Sequence, residues 1–324
     1  MTPTALVRYD PAEAAARSDR WASLSDEERH RAAALASSTH DADALWDLTQ
    51  SWMIQYGRKG ARLSPLTLTR YRRGVQVLLA DWAQVDLLKP KRMDGGRWLR
   101  KLEASGLKPS TIGVLLASAR ALYAALREAG ATAVDPFKDA HPAGDPVAAH
   151  EKRHPYTEEE IDKLLALASG EARLIVLLGA FAGLRAAEIC ALQWRSVDLE
   201  GRYLTVEQGK GGKRRRVLML RTLQEALAAI PKTEREGVVL TLGGHREPLP
   251  RRRKALRLLH WLCTDAGVPR RGLHALRHRA GTMIYAATGD LQSAQRMLGH
   301  AQLQTTTVYA EWDDSKLREQ IGDR

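Results

Sequence analysis

Apolar residues recur three and four positions apart in four stretches of the first 134 residues: 42–56, 65–83, 96–105 and 110–129. Ser64-Pro65 and Pro109-Ser110 supply helix starts, and Gly57, Gly106 and Gly130 supply stops. The pattern predicts a small helical bundle over residues 41–134. Ahead of it, residues 1–40 are rich in alanine and charge and predict a helical or partly frayed extension. Its 5 basic and 6 acidic side chains make it too acidic for a separate DNA-binding arm. Periodicity then lapses: Pro136, Pro142, Gly144, Pro146 and Pro155 mark residues 135–155 as a linker.

A second domain, 156–324, follows. Thr157 caps a helix whose first turn is Glu158-Glu159-Glu160, acidic where the helix dipole favours negative charge, and which runs on through Ile161 to Ala168. Glu171 to Phe181 is nearly all apolar, which predicts a helix buried on every side, broken by Gly183 just before Leu184-Arg185. Only one region asks for strands. Residues 203–206 and 216–220 flank Gly209-Lys210-Gly211-Gly212-Lys213 and predict a β-hairpin with a lysine-bearing turn. From Leu249 onward the pattern is helical again. The fold class expected is mainly α with a small β-hairpin or sheet (α+β) in the second domain.

Composition adds a partner. Fifty Lys and Arg against 38 Asp and Glu leave a net charge of +12, so the chain should seek a polyanion. The excess is uneven: residues 1–150 carry 21 basic and 17 acidic groups, residues 151–324 carry 29 and 21. No stretch approaches the ~18 consecutive apolar residues of a membrane span, and Met1 to Asp10 lacks a signal-peptide layout. A cytoplasmic, nucleoid-associated protein is expected. Cys190 and Cys263 form no CxxC pair and read as small buried side chains, with no zinc site or disulfide framework.

The candidate residues are individually modest. Arg185, at a glycine break after an apolar helix, faces a ligand or pairs with Glu188 three positions on. The Gly209–Lys213 turn could cradle a phosphate, although it does not fit the P-loop pattern. His274 and Arg277 share a helix face, His300 follows Leu298-Gly299 at a helix end, and Tyr309 ends a threonine-rich run.

Their order is specific: Arg185 within Gly-Leu-Arg-x-x-Glu, Lys210 within Gly-Lys-Gly-x-Lys-x-Arg, His274 and Arg277 within His-x-Leu-Arg-His, then Leu-Gly-His300 and Tyr309. This series resembles the tyrosine recombinase, or phage integrase, family over residues 152–315, and the helical segment before the linker resembles that family's SAM-like core-binding domain by position and helix count. The resemblance implies a two-domain DNA clamp that cuts and rejoins duplex DNA through a 3′-phosphotyrosyl intermediate. Tyr309 is then the nucleophile. Arg185 and Arg277 meet the charge that develops on the phosphate oxygens. His274 and His300 donate hydrogen bonds, and one of them takes the tyrosine proton. Lys210, with Lys213 as rival, protonates the departing 5′ oxygen. Glu188 braces Arg185 or the turn around it. No cofactor is implied and no metal is required, because the cationic side chains supply the charge, and the covalent ester removes any need for ATP.

For duplex binding the expected phosphate contacts are Lys213, Arg214, Arg215, Arg216, Arg251, Arg252, Arg253, Lys254, Arg257, Arg270 and Arg271 in the second domain, and Arg58, Lys59, Arg62, Arg70, Arg72 and Arg73 in the first. The compact layout is most similar to Xer-type recombinases that resolve chromosome dimers. A phage or mobile-element integrase, a type IB topoisomerase-like enzyme and a non-catalytic DNA-binding protein are the alternatives. The family resemblance further implies a tetramer on two sites, held in part by a short helix at 315–321, and a possible second recombinase or accessory protein.

Overall fold

A computed structural model of the protein describes residues 11–58, 60, 63–145, 154–207, 214–244 and 248–290, with Gln292, Ala294 and Leu298. They fall into two units, Met1–Pro146 and Val147–Arg324.

The first unit is helical: α1 (Pro11–Ser23), α2 (Asp26–Ser38), α3 (Ala42–Gln55), α4 (Pro65–Asp81), α5 (Asp94–Ala104) and α6 (Pro109–Glu128). Polar caps start three of them. Ser25 and Glu28 form a reciprocal capping box, Asp41 accepts from the Asp43 and Ala44 N–H groups, and Ser64 accepts from Thr67. From Pro11, the expected extension is two helices built into the unit. Ala33 and Ala36 lie in its core, Ser51 donates to the Ser18 carbonyl at 3.2 Å, and Arg29 pairs with Glu128 at 3.2 Å. Helix α6 is, among the described residues, long and apolar enough to cross a membrane by length and composition. Its apolar positions, from Ile112 to Leu126, form the middle of this core.

Part of the expected linker also belongs to the first unit. Phe137 is fully buried, stacked on Trp82 with ring centroids 5.4 Å apart and edge-on to Trp98 and Tyr123. Arg120 donates to the carbonyls of Phe137 and Ala140. Gly95 admits this strap, because a Cβ there would lie 2.0 Å from the Pro136 carbonyl oxygen.

The second unit contains α7 (Glu158–Leu167), α8 (Gly170–Ala180), α9 (Ala186–Ala191), strands β1 (Val197–Asp198), β2 (Tyr203–Val206) and β3 (Arg215–Leu218), then α10 (Arg221–Ala228), α11 (Pro248–Asp265) and α12 (Leu273–Thr288). The strands form an antiparallel sheet in the order β1-β2-β3. Every residue of α8 from Leu174 to Ala180 is buried, as its unbroken apolar run requires. The second hairpin strand begins one residue earlier than the spacing suggests, with Arg215 opposite Val206 and Val217 opposite Leu204. That register puts Arg215 and Val217 on the core side and Arg216 and Leu218 on the other.

Candidate active site

The site is built where α12 crosses α8. A Cβ on Gly179 would fall 2.7 Å from Leu276 Cβ, so the glycine lets the two helices close on each other. Helix α12 turns Leu273, Leu276, Arg277 and Ala280 inward, which leaves Arg277 only 1% exposed. At the end of α8 the chain reverses through Gly183, at φ 63°, where a Cβ would lie 2.4 Å from the Leu298 side chain. Arg277 donates to the carbonyls of Gly183 and Leu298, tying α12 to this reversal.

One residue beyond Leu184 the reversal delivers Arg185 as the cap of α9. Glu188, three residues on, accepts from the Arg185 N–H at 2.8 Å and from its guanidinium at 2.9 Å. From β3, Arg215 adds a bidentate pair to the same carboxylate, Nη1 to Oε1 at 2.8 Å and Nη2 to Oε2 at 2.7 Å. Arg277 Nη1 stands 4.0 Å from Oε2. Burial pushes the Glu188 carboxyl up, but the hydrogen bonds and charge of Arg215 with the Arg185 main-chain and side-chain bonds pull it down to about 2. An ionised carboxylate therefore joins three guanidinium groups from three elements.

His274 lies one turn before Arg277 on α12 and is exposed. Its ring meets that of buried His278 edge-on, centroids 4.6 Å apart. The structure thus brings Arg185, Glu188 and Arg277 together and puts His274 on the same helix as Arg277. Lys210, His300 and Tyr309 lie outside the described residues, as do Lys59, Arg62 and Lys213. Among the described residues no group of three or more His, Cys, Asp or Glu side chains is placed to hold a metal ion. Cys190 and Cys263 are both buried and unpaired as thiols.

The basic side chains expected on the duplex divide. Arg58, Arg70, Arg73, Arg214, Arg216, Arg253 and Arg257 are exposed, and Arg252 and Lys254 are half-buried. Two expectations are corrected. Arg215 is half-buried with its guanidinium taken up by Glu188, and Arg251 is 7% exposed with its guanidinium donating to the carbonyls of Cys190, Leu240 and Thr241. Arg251 braces the entry of α11 against the end of α9 and does not face solvent. Arg72 pairs with Asp43 at 2.7 Å, and Arg270 donates to Thr264. Arg271 pairs with Glu160, and its guanidinium lies 4.9 Å from the Tyr156 ring centroid.

Tyr156 is a positioning residue that spacing does not reveal. Its buried hydroxyl accepts from the Arg271 N–H at 3.1 Å and donates to the Arg271 carbonyl at 3.2 Å, fixing the segment that leads into α12.

Residues 156–316 match the model of the phage integrase family, and residues 55–130 match the N-terminal SAM-like domain of phage integrases. The chain belongs to the phage integrase family of tyrosine recombinases. The tyrosine recombinase XerC of Yersinia pestis is 28% identical over 271 residues, which is 78% of this chain and 86% of that protein. Among solved structures, XerH site-specific recombinase bound to a palindromic difH substrate in a post-cleavage complex aligns over 98% of both chains, with a TM-score of 0.62 and 19% identity. The Tn1549 transposon integrase in complex with transposon right end DNA covers 84% of this chain and 99% of its own, with a TM-score of 0.65 and 16% identity. At these identities the likeness to the two structures is one of fold.

Proposed function

We propose that this tyrosine recombinase is a Xer-type, site-specific enzyme that cuts and rejoins duplex DNA through a 3′-phosphotyrosyl bond at Tyr309. The observation that carries the reading is the convergence of Arg185 and Arg277 on one buried carboxylate, with His274 a turn away on α12. Glu188 holds these guanidinium groups before substrate arrives, so little reorganisation is needed when charge develops on the phosphate. Three guanidinium charges against one carboxylate leave the cluster net positive, suited to a phosphodiester.

The tyrosine oxygen attacks phosphorus and forms the P–O(Tyr) bond as the P–O5′ bond breaks. The tyrosine proton passes to His274 or His300, because a free phenol with a pKa near ~10 is scarcely ionised at neutral pH. Lys210 gives a proton to the departing 5′ oxygen. Reversal with a 5′ hydroxyl from another strand restores a phosphodiester and completes exchange. The exposed arginines follow the duplex backbone, and the protein works in the cytoplasm on chromosomal DNA as a tetramer across two sites.

A nicked substrate that releases the cleaved 5′ fragment should trap wild type as a covalent protein–DNA adduct. Tyr309→Phe should form none; an adduct with that variant, or none with wild type, sinks the reading. Truncation after Asp314 should reduce cooperative binding to a two-site DNA. A mobile-element role is the second reading, because the family model that residues 156–316 match is that of the phage integrases. Sequencing the DNA recovered from adducts made in the host decides between them, since chromosome dimer resolution predicts one chromosomal site and integration predicts element ends.

A further inference from the structure

We propose that Arg215 is a positioning residue for DNA cleavage, clamping from β3 the Glu188 carboxylate that holds Arg185 toward the scissile phosphate. The proposal rests on Arg185 acting at that phosphate, as argued above. Arg214, Arg215 and Arg216 are consecutive, yet the pleat gives them different work. The side chains of Arg214 and Arg216 are 71% and 61% exposed, whereas that of Arg215 is 13% exposed. Both of its terminal nitrogens are engaged by Glu188, whose side chain is 5% exposed.

The bonding at Glu188 explains why a fork is needed there. Oε1 receives one bond from Arg215 and one from the Arg185 guanidinium, while Oε2 receives one from Arg215 and one from the Arg185 N–H. Arg215 thus sets the plane of the carboxylate, and that plane sets where the Arg185 guanidinium sits. Among the described residues, the remaining charged neighbours of Glu188 are Arg185 from the start of α9 and Arg277 from α12, the latter at 4.0 Å. Without Arg215 the carboxylate can rotate toward Arg277 and draw Arg185 from its place.

The test is single-turnover cleavage of the nicked substrate at saturating DNA, using variants whose circular dichroism matches wild type. Arg215→Gln is expected to lower the rate ~100-fold, the loss that an ångström-scale misplacement brings, with DNA affinity unchanged. Arg215→Lys is expected to recover part of the rate, because it restores charge but one ammonium cannot serve both oxygens as a fork. The rate of Arg215→Gln should also fall more steeply than that of wild type as pH drops from 7 to 5, beyond the loss both share from protonation of the histidine base, because among the described residues Glu188 then keeps Arg185 and Arg277 against its burial. The double variant Arg215→Gln/Glu188→Gln should be no slower than Glu188→Gln alone.

Losses that multiply in the double variant overturn the proposal. So does recovery of the Arg215→Gln rate on a substrate with sulfur at the 5′ bridging position, since a thiolate leaves without a proton and the defect would then lie at the leaving group. Arg185→Ala is run alongside. If it cleaves like wild type, the reading of Arg185 fails and takes the proposal with it; if it is inactive while the other losses multiply, only the clamp is wrong.

Discussion

At the Glu188 carboxylate, burial and ionisation oppose each other, and ionisation wins because Arg185, Arg215 and a main-chain N–H all donate to it. Its folded pKa, about 2, lies below the ordinary 4.5. The ionised form therefore favours the folded state: the contribution is complete above about pH 5 and is lost as pH falls toward 2, with a size of roughly 3 kcal/mol by linkage. Urea unfolding of wild type and Glu188→Gln across that range is expected to show a stability difference that is large at pH 7 and shrinks steadily below pH 5. A gap independent of pH would mean that the carboxylate is not held ionised. The link to Arg185 is readable from three-residue spacing, but the link to Arg215 is not. Three consecutive arginines look like a solvated charge run; Arg215 is set apart as the last residue of Gly-Lys-Gly-x-Lys-x-Arg, and its alternation with inward Val217 and Met219 marks it as the inward-facing one. In the same way Arg251 precedes Ala255, Leu259 and Leu262 at helical spacing, so its burial was encoded beneath a run of four basic residues.

Between elements, the decisive contacts come from residues whose local meaning is ambiguous. Gly179 interrupts an apolar helix and could pass for a defect, yet it sets the distance between α8 and α12. Gly179→Ala is expected to cost ~1–3 kcal/mol through overpacking on Leu276 and to slow cleavage more than DNA binding, because α12 carries His274 and Arg277. Thermal melts and single-turnover rates measured on one preparation check both halves. The prolines after Val134 speak for a linker, and backbone stiffness is all that they report. Phe137, one of only two phenylalanines in the chain, reports burial, and burial prevails for residues 135–140. Phe137→Ala should destabilise the first unit by about 3–5 kcal/mol, seen as an earlier tryptophan-fluorescence transition in urea; an unchanged midpoint would show that the strap is dispensable. The longer helices were legible from period and caps, whereas α9 and α10, of 6 and 8 residues, are too short to show a period and were not. The partners of the longer helices were not legible, because periodicity shows which face is buried and is silent about what covers it.

For the whole molecule, the +12 charge divides by solvent access into groups with different physics. Arg185, Arg215 and Arg277 are gathered on Glu188, Arg251 is consumed by three carbonyls, and Arg253 and Arg257 are exposed one turn apart on α11. Composition cannot tell these groups apart, and a titration of DNA binding against salt can. Each exposed arginine that neutralises a phosphate releases counterions, so Arg253→Ala or Arg257→Ala should weaken binding on every sequence and reduce the log–log salt slope by about 1. Arg251→Ala should leave that slope unchanged. It should instead lower stability by on the order of 3 kcal/mol, since buried carbonyls lose their donors and each one left unpaired costs about 1–3 kcal/mol. The reverse pattern, with a reduced slope for Arg251→Ala and a stability loss for Arg257→Ala, would mean that α11 presents its other face to DNA.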